Sequence, residues 1–324
     1  MDKLAIIRKP IEQEVVEFNA YFKSQFESDV ALLNSALQYV CESTGKLMRP
    51  MLVMLVAKSA GGVSEKSYAA AAAMEMLHTA SLLHDDVIDE SDKRRGRPSV
   101  NVAYNNNVAV LTGDFLFSQA LNNAAVAEDY RIVLELSVLG KALSRGEILQ
   151  VELQQNGSYS EENYFKVIEC KTASLFVCSA VCAAYTAGAA ADVIERFRKF
   201  GEYVGICFQI KDDIFDYSSN DVGKPTGSDM REGKITLPAL YVLRESSNPL
   251  LEPIRAKLNN SEFLDEKEIE SLIRISVEEG GVEYANSIIE HYRVLAFDAL
   301  PCDIPKDLHD AFVAYLDYVI MRNK

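Results

Sequence analysis

Glycine and proline are scarce in this 324-residue chain, at 16 and 9 residues, and no long alternating run of β-branched residues occurs. Both absences argue against a sheet protein, and Ala-rich stretches such as Tyr68–Met74 read as helix. Cations are in deficit as well. The chain has 33 Lys and Arg against 48 Asp and Glu, a formal charge of −15, which argues against nucleic acid as a partner. The same balance suits a carboxylate-rich site that must take up divalent metal before it can hold an anion. Cys41, Cys170, Cys178, Cys182, Cys207 and Cys302 form no C-x-x-C pair. Zinc and thioredoxin-like chemistry therefore lack support, and reduced thiols in a cytoplasmic protein are expected. The stretch Met1–Glu14 reads as neither a signal nor a transit peptide. Ser174–Val193 carries one charge, Asp192, but its Ala, Ser, Thr and Gly content marks a buried helix, so no transmembrane segment is expected.

What is present is a succession of ten or more helices. Starts are expected at Pro10, Ser28-Asp29, Ser64-Glu65, Ser160 and the Asp265…Glu268 capping box. Breaks are expected at Gly61-Gly62, Arg95–Ser99, Asn156–Ser158, Asn220–Gly233, Asn248-Pro249, Gly280-Gly281 and Pro301–Pro305. No flexible linker, composition shift or fixed-period repeat interrupts the chain, so residues 1–324 are read as one domain.

Two carboxylate motifs stand out. Asp85-Asp86-Val87-Ile88-Asp89 places Asp85 and Asp89 four apart, on one helical face with one turn between them. Like charges at that spacing repel, and a cation between them converts the penalty into attraction. Asp212-Asp213-Ile214-Phe215-Asp216 repeats the pattern on a second predicted helix. Two such helices facing each other would form a cage of hard oxygen ligands suited to Mg²⁺. Basic residues cluster nearby: Lys93-Arg94-Arg95 after the first motif, Lys224 and Lys234 after the second, and Lys46 with Arg49 on one helical face or turn. Arg offers planar bidentate donors to phosphate, and Lys a mobile point charge.

The pattern resembles the trans-polyprenyl diphosphate synthases, the family of farnesyl, geranylgeranyl and octaprenyl diphosphate synthases. The resemblance lies in Gly45-Lys46…Arg49-Pro50, Leu82-Leu83-His84-Asp85-Asp86…Asp89, Arg94-Arg95-Gly96, Gly113-Asp114 and Gly146-Glu147…Gln150. It continues through Lys171-Thr172-Ala173, Phe208-Gln209…Asp212-Asp213…Asp216 and Gly223-Lys224…Gly227…Asp229. It implies an all-α fold of the isoprenoid synthase type, a single large antiparallel bundle around a central cavity, usually a homodimer. It implies that Asp85, Asp89, Asp212 and Asp216 hold Mg²⁺, three ions per site, with Asp86 and Asp213 assisting. Arg94, Lys171, Thr172, Gln209, Lys224 and Lys234 would grip an allylic diphosphate, and Lys171 would also serve catalysis. Lys46, Arg49, His78 and Arg95 would hold isopentenyl diphosphate.

The reaction implied is head-to-tail condensation of the two diphosphates. A class I cyclase or a squalene-type synthase is the rival enzyme reading, and a non-catalytic subunit of a heteromeric synthase is the rival of another class; the two intact aspartate motifs disfavour both. Product length is expected to depend on Leu77, Ala80, Ser81 and Leu136. Ala80 lies about 7.5 Å along the helix from Asp85 at 1.5 Å per residue, and the small side chains of Ala80 and Ser81 predict an open level there. A C30–C50 product follows, with octaprenyl (C40) favoured.

Overall fold

The computed structural model describes residues 2–217 and 226–321. Among these, the strands are two residues each, Lys93–Arg94 (β1) and Arg97–Pro98 (β2), and all other regular structure is helical. The chain divides into two compact units interleaved in sequence. The first comprises Met1–Gly140, Val177–Arg198 and Pro301–Tyr315; the second comprises Lys141–Phe176, Lys199–Leu300 and Leu316–Lys324.

The first unit begins with α1 (Lys3–Arg8), a 3₁₀ turn containing Pro10, α2 (Glu12–Lys23) and α3 (Ala31–Glu42). The start expected at Ser28-Asp29 falls slightly later. Ser28 Oγ accepts from the Val30 N–H and the Ser28 N–H donates to Asn34 Oδ1, so Ser28 closes a local turn instead of capping the helix. Phe18, Phe22 and Phe26 form a buried ladder with ring centroids 5.4 and 5.0 Å apart. Helix α4 (Met48–Ala60) follows Leu47, whose φ of 52° is left-handed. Lys46 therefore precedes the helix while Arg49 lies in its first turn, which corrects the expectation of one shared face or turn.

Helix α5 (Glu65–Ile88) opens on a Ser64/Ser67 capping box. Its Ala69–Ala73 run is wholly buried, and small side chains let neighbouring helices approach closely. Across the β-hairpin come α6 (Val100–Ala103) and α7 (Asn106–Val126), and α7 makes the most extensive packing on α5. Gly113 of α7 sits where an added Cβ would lie 2.4 Å from His84 Nε2, so its missing side chain sets that approach.

Helix α8 (Tyr130–Gln155) starts in the first unit and ends in the second. Beyond it, α9 (Glu161–Ile168) is capped by Ser160, passes through a π-turn (Glu169–Ala173) and continues as α10 (Ser174–Thr186). The composite helix Glu161–Thr186 is long and apolar enough to cross a membrane, but 72% of its most apolar window is buried inside the protein, as expected for Ser174–Val193. Helix α11 (Ala191–Phe215) packs on the π-turn through Gly205, where a Cβ would lie 2.4 Å from Ala173 Cα. The second unit continues with α12 (Ser228–Arg231), α13 (Leu237–Glu245), α14 (Leu251–Asn259), α15 (Glu266–Glu278), which has the expected Asp265–Glu268 capping box, and α16 (Gly281–Ala299). Helix α17 (Lys306–Met321) closes the chain.

Candidate active site

The first unit gathers its polar residues at the C-terminal end of α5. The Asp89 N–H donates to the Asp85 carbonyl at 2.8 Å, so the two residues keep helical i,i+4 spacing although the helix proper stops at Ile88. Asp86, only 2% exposed, accepts a bidentate grip from Arg94: Nε to Oδ1 and Oδ2 at 2.8 and 2.9 Å, and Nη2 to Oδ1 at 2.6 Å. The hairpin makes this possible. Arg95 and Gly96 at its tip have φ of 52° and 78°, the pattern of a type I′ turn, which favours Gly in the second position. The turn carries Arg94 back onto Asp86 and lets Arg95 Nη1 donate to the Ser43 carbonyl at 2.8 Å. The Arg95 guanidinium lies over Gly45, where a Cβ would come within 2.8 Å of Cζ.

Ser43, Asp86, Arg94 and Arg95 line a cavity with Tyr39, Glu75, His78 and Ser99. Glu75 Oε2 and His78 Nδ1 are buried in its wall without a hydrogen-bond partner. Burial raises the Glu75 carboxyl above its usual range, against the opposing pull of Arg49 and Arg95. Burial holds His78 well below the ordinary imidazole range, reinforced by the positive charges of Arg49, Arg95 and Arg94. A neutral imidazole among guanidiniums offers a hydrogen bond without adding a further charge.

The second unit builds a cavity of about 230 Å³ lined by Lys171, Thr172, Gln209, Asp212, Asp213 and Lys234, together with Tyr164 and Asp229. Gly146 on α8 gives Lys171 room to cross, since a Cβ there would lie 2.6 Å from Lys171 Cγ. Lys171 Nζ meets Glu147 at 2.7 Å and Gln150 at 3.0 Å. Thr172 Oγ1 donates to Gln209 Oε1 at 2.5 Å, and Gln209 Nε2 donates to Asp213 Oδ1 at 2.7 Å. The Tyr164 hydroxyl donates to Asp213 Oδ2 at 2.6 Å. Burial, then the charge of Asp229, pushes Asp213 well above the carboxylate range. Asp229 itself is pushed up to about 6, first by burial and then by Asp216. Lys234 Nζ pairs with Glu232 at 2.5 Å.

Asp216, expected to share a face with Asp212, lies one residue beyond the end of α11. Helix α11 ends at Phe215, and the Asp216 N–H closes a tighter bond to the Asp213 carbonyl at 3.1 Å. The Asp216 carboxylate accepts from Ser228 N–H at 2.9 Å, Ser228 Oγ at 3.0 Å and Asp229 N–H at 3.1 Å. Arg94, expected to grip the allylic diphosphate, lines the same cavity as His78 and Arg95. Lys224 lies outside the described residues. Leu77, Ala80 and Leu136 are buried, and Ser81 Oγ folds back to the His78 carbonyl at 2.9 Å; the first-unit cavity is walled by His78, Thr79, Leu82 and Leu83 and not by these four.

Sequence reasoning missed Glu75, Tyr164 and the role of Asp229 in the cavity wall. Glu75 had a usable signal, three residues before His78 on one helical face. Tyr164 had none, because its partner lies 49 residues away.

Among the described residues, no group of three or more His, Cys, Asp or Glu side chains converges as a closed metal site. The donor set still fits Mg²⁺, which keeps several waters and binds through one or two carboxylates plus substrate phosphate. Asp85 with Asp89, and Asp212, are the side chains that would supply those carboxylates.

A family model described as polyprenyl synthetase matches residues 30–276. The chain is 33% identical over 319 residues to the octaprenyl diphosphate synthase of Haemophilus influenzae, covering 98% of this chain and 96% of that one. A geranylgeranyl pyrophosphate synthase from Bacteroides thetaiotaomicron superposes with a TM-score of 0.85 at 41% identity, covering 99% and 100% of the two chains. A Caulobacter crescentus polyprenyl synthase solved with calcium and isoprenyl diphosphate gives a TM-score of 0.90 at 28% identity over 98% of each chain. With an all-α fold, two aspartate motifs and cavities in both units that mix cations with carboxylates, the chain belongs to the polyprenyl synthetase family of prenyltransferases.

Proposed function

We propose that the chain is a trans-polyprenyl diphosphate synthase that joins isopentenyl diphosphate head-to-tail to an allylic diphosphate with Mg²⁺. The observation that carries this reading is the second-unit cavity, which Lys171 and Lys234 line together with Asp212, Asp213 and Asp229. Cations and carboxylates mixed in this way suit a diphosphate held partly by side chains and partly through metal. Bound Mg²⁺ would stabilise the negative charge that develops on the leaving diphosphate. Asp85 with Asp89 in the first unit, and Asp212 with Asp216 in the second, would supply its carboxylate ligands, three ions in all.

Lys171, Thr172, Gln209 and Lys234 would orient the allylic diphosphate, and Lys224 would add a further cation. Lys46, Arg49, His78 and Arg95 would hold isopentenyl diphosphate, His78 and Arg95 from the wall of the first-unit cavity, and Arg94 would reach the allylic diphosphate. Ionisation of the allylic C–O bond gives a cation that the isopentenyl double bond attacks, and the proton lost leaves with the diphosphate. Water must be kept from that cation, which apolar walls achieve.

The family match running through both units supports one catalytic domain. A homodimer is supported by the exposed stripe Val110, Phe117 and Leu121 on α7, at 37%, 40% and 42% exposure, since a second copy would cover it. A cytoplasmic location goes with six cysteines that form no disulfide.

For product length, C30–C50 with octaprenyl favoured is supported by small side chains at Ala80 and Ser81 and by the H. influenzae relative. A C20 product is the second reading, favoured by 41% identity to the geranylgeranyl enzyme. The test is the purified chain with radiolabelled isopentenyl diphosphate, Mg²⁺ and a panel of allylic primers, followed by chromatography of dephosphorylated products. Linear all-trans products that vanish with chelator are expected. A cyclic hydrocarbon, a head-to-head dimer or no product would refute the proposal.

A further inference from the structure

The composite helix Glu161–Thr186 is broken at one place, the π-turn Glu169–Ala173. Tyr164 lies just before it and Thr172 within it. In a regular α-helix, residues eight apart are offset by about 80° around the axis, so they face different directions. A π-turn packs more residues into one revolution and removes part of that offset. Both hydroxyls consequently serve one carboxylate. Tyr164 donates to Asp213 Oδ2 at 2.6 Å, and Thr172 acts through Gln209, which donates to Asp213 Oδ1 at 2.7 Å. The Thr172 bond to Gln209 Oε1 also fixes which end of the amide faces Asp213. Tyr164 and Asp213 are 8% and 4% exposed, so water does not substitute freely for either donor.

We propose that Tyr164 is a positioning residue for the diphosphate side of the reaction: by gripping Asp213 opposite Gln209 it fixes the last turn of α11 and so presents Asp212 to the metal-bound diphosphate. The proposal rests on the reading of the second-unit cavity as the allylic diphosphate site. Tyr164 touches no reacting atom in this account and acts only through Asp213. A purely structural tyrosine would affect melting and nothing else; a positioning one changes ligand affinity.

The experiment is calorimetric titration of the full chain with inorganic diphosphate at fixed MgCl₂, using wild type, Tyr164→Phe, Asp213→Asn and the double variant. Loss of one hydrogen bond to a buried carboxyl group predicts affinity about 10-fold weaker in Tyr164→Phe. The KM for isopentenyl diphosphate is expected to stay within about two-fold, because that pocket shares no side chain with this network. Adding Tyr164→Phe to Asp213→Asn is expected to cost nothing further. Thr172→Val, which frees the Gln209 amide to turn, is expected to weaken binding too and keeps the test open if Tyr164→Phe fails to fold. Folded Tyr164→Phe with wild-type affinity, or a further loss on the Asp213→Asn background, overturns the proposal. Wild-type protein that neither binds magnesium diphosphate nor makes product would instead overturn the functional reading beneath it.

Discussion

Replacing Gly205 with alanine sets two effects of opposite sign against each other. Gly205 lies inside α11, where alanine is favoured over glycine by about 1 kcal/mol through helix propensity. The new Cβ, however, would lie 2.4 Å from Ala173 Cα, 3.0 Å from Ala173 Cβ and 3.2 Å from Phe176 Cδ2. The nearest of these is backbone in the π-turn, so no side chain can rotate away, and α11 and the turn must separate by roughly 1 Å. Overpacking of this kind costs about 1–3 kcal/mol. Gln209 is one turn further along α11, and its 2.5 Å bond from Thr172 would stretch past a useful length, adding about 1 kcal/mol. The clash wins, and Gly205→Ala is expected to destabilise by about 1–3 kcal/mol, a melting-point drop of roughly 1–5 °C for a protein of this size. Gly140 in α8 is the control, because a Cβ there meets nothing within 4 Å; Gly140→Ala is expected to stabilise by up to about 1 kcal/mol. Urea unfolding of both variants at neutral pH is the assay. A Gly205→Ala protein equal to or more stable than wild type would show that the helix–turn contact is not as tight as drawn.

Four further outcomes are expected. His78 has a folded-state pKa below its unfolded value of about 6.5, so its contribution to stability is present at neutral pH and lost as pH falls below about 6.5. His78→Gln should therefore remove about 1 kcal/mol of the stability change between pH 6.5 and 5.5, read by urea titration at each pH; an unchanged slope counts against a buried neutral imidazole. Asp212→Ala is expected to lower kcat by at least about 100-fold in steady-state assays, and near-normal turnover would remove it from the metal set. Ala80→Tyr should shorten the chromatographed product without abolishing turnover, since a ring in a packed level blocks chain carbons only where they pass; an unchanged product ladder would free Ala80 of any role in length. Phe117→Glu should convert a dimer to monomer by light scattering, because an unpaired charge would enter an apolar interface, and a variant that stays dimeric would place the interface elsewhere.

The readable features of this chain were those governed by local rules. Ser64, Ser160 and Asp265 announce their helices because a short polar side chain caps within three residues, and the structure has all three caps. The aspartate motifs, Lys171-Thr172 and Gln209 were legible from spacing and family resemblance. What escaped was decided by distant partners or by backbone that sequence leaves ambiguous. Nothing around Leu47 demands a left-handed residue, yet φ of 52° there separates Lys46 from the helix of Arg49. Arg94 and Arg95 look alike in sequence, and only the hairpin sends one to Asp86 and the other to Ser43. The π-turn was equally hidden, because Glu169–Ala173 continues an unbroken helical composition.

Asp216 has an arithmetic of lone pairs. A carboxylate offers about four acceptor sites, and among the described residues three are engaged, two on Oδ1 by Ser228 and one on Oδ2 by Asp229. One site on Oδ2 remains. A cation can thus meet Asp216 through a single oxygen while the start of α12 stays tied down, or through both only by releasing Ser228. Bidentate coordination and attachment of the 227–231 segment are in competition, and any ion strong enough to win both oxygens would also release Ser228 at the start of α12.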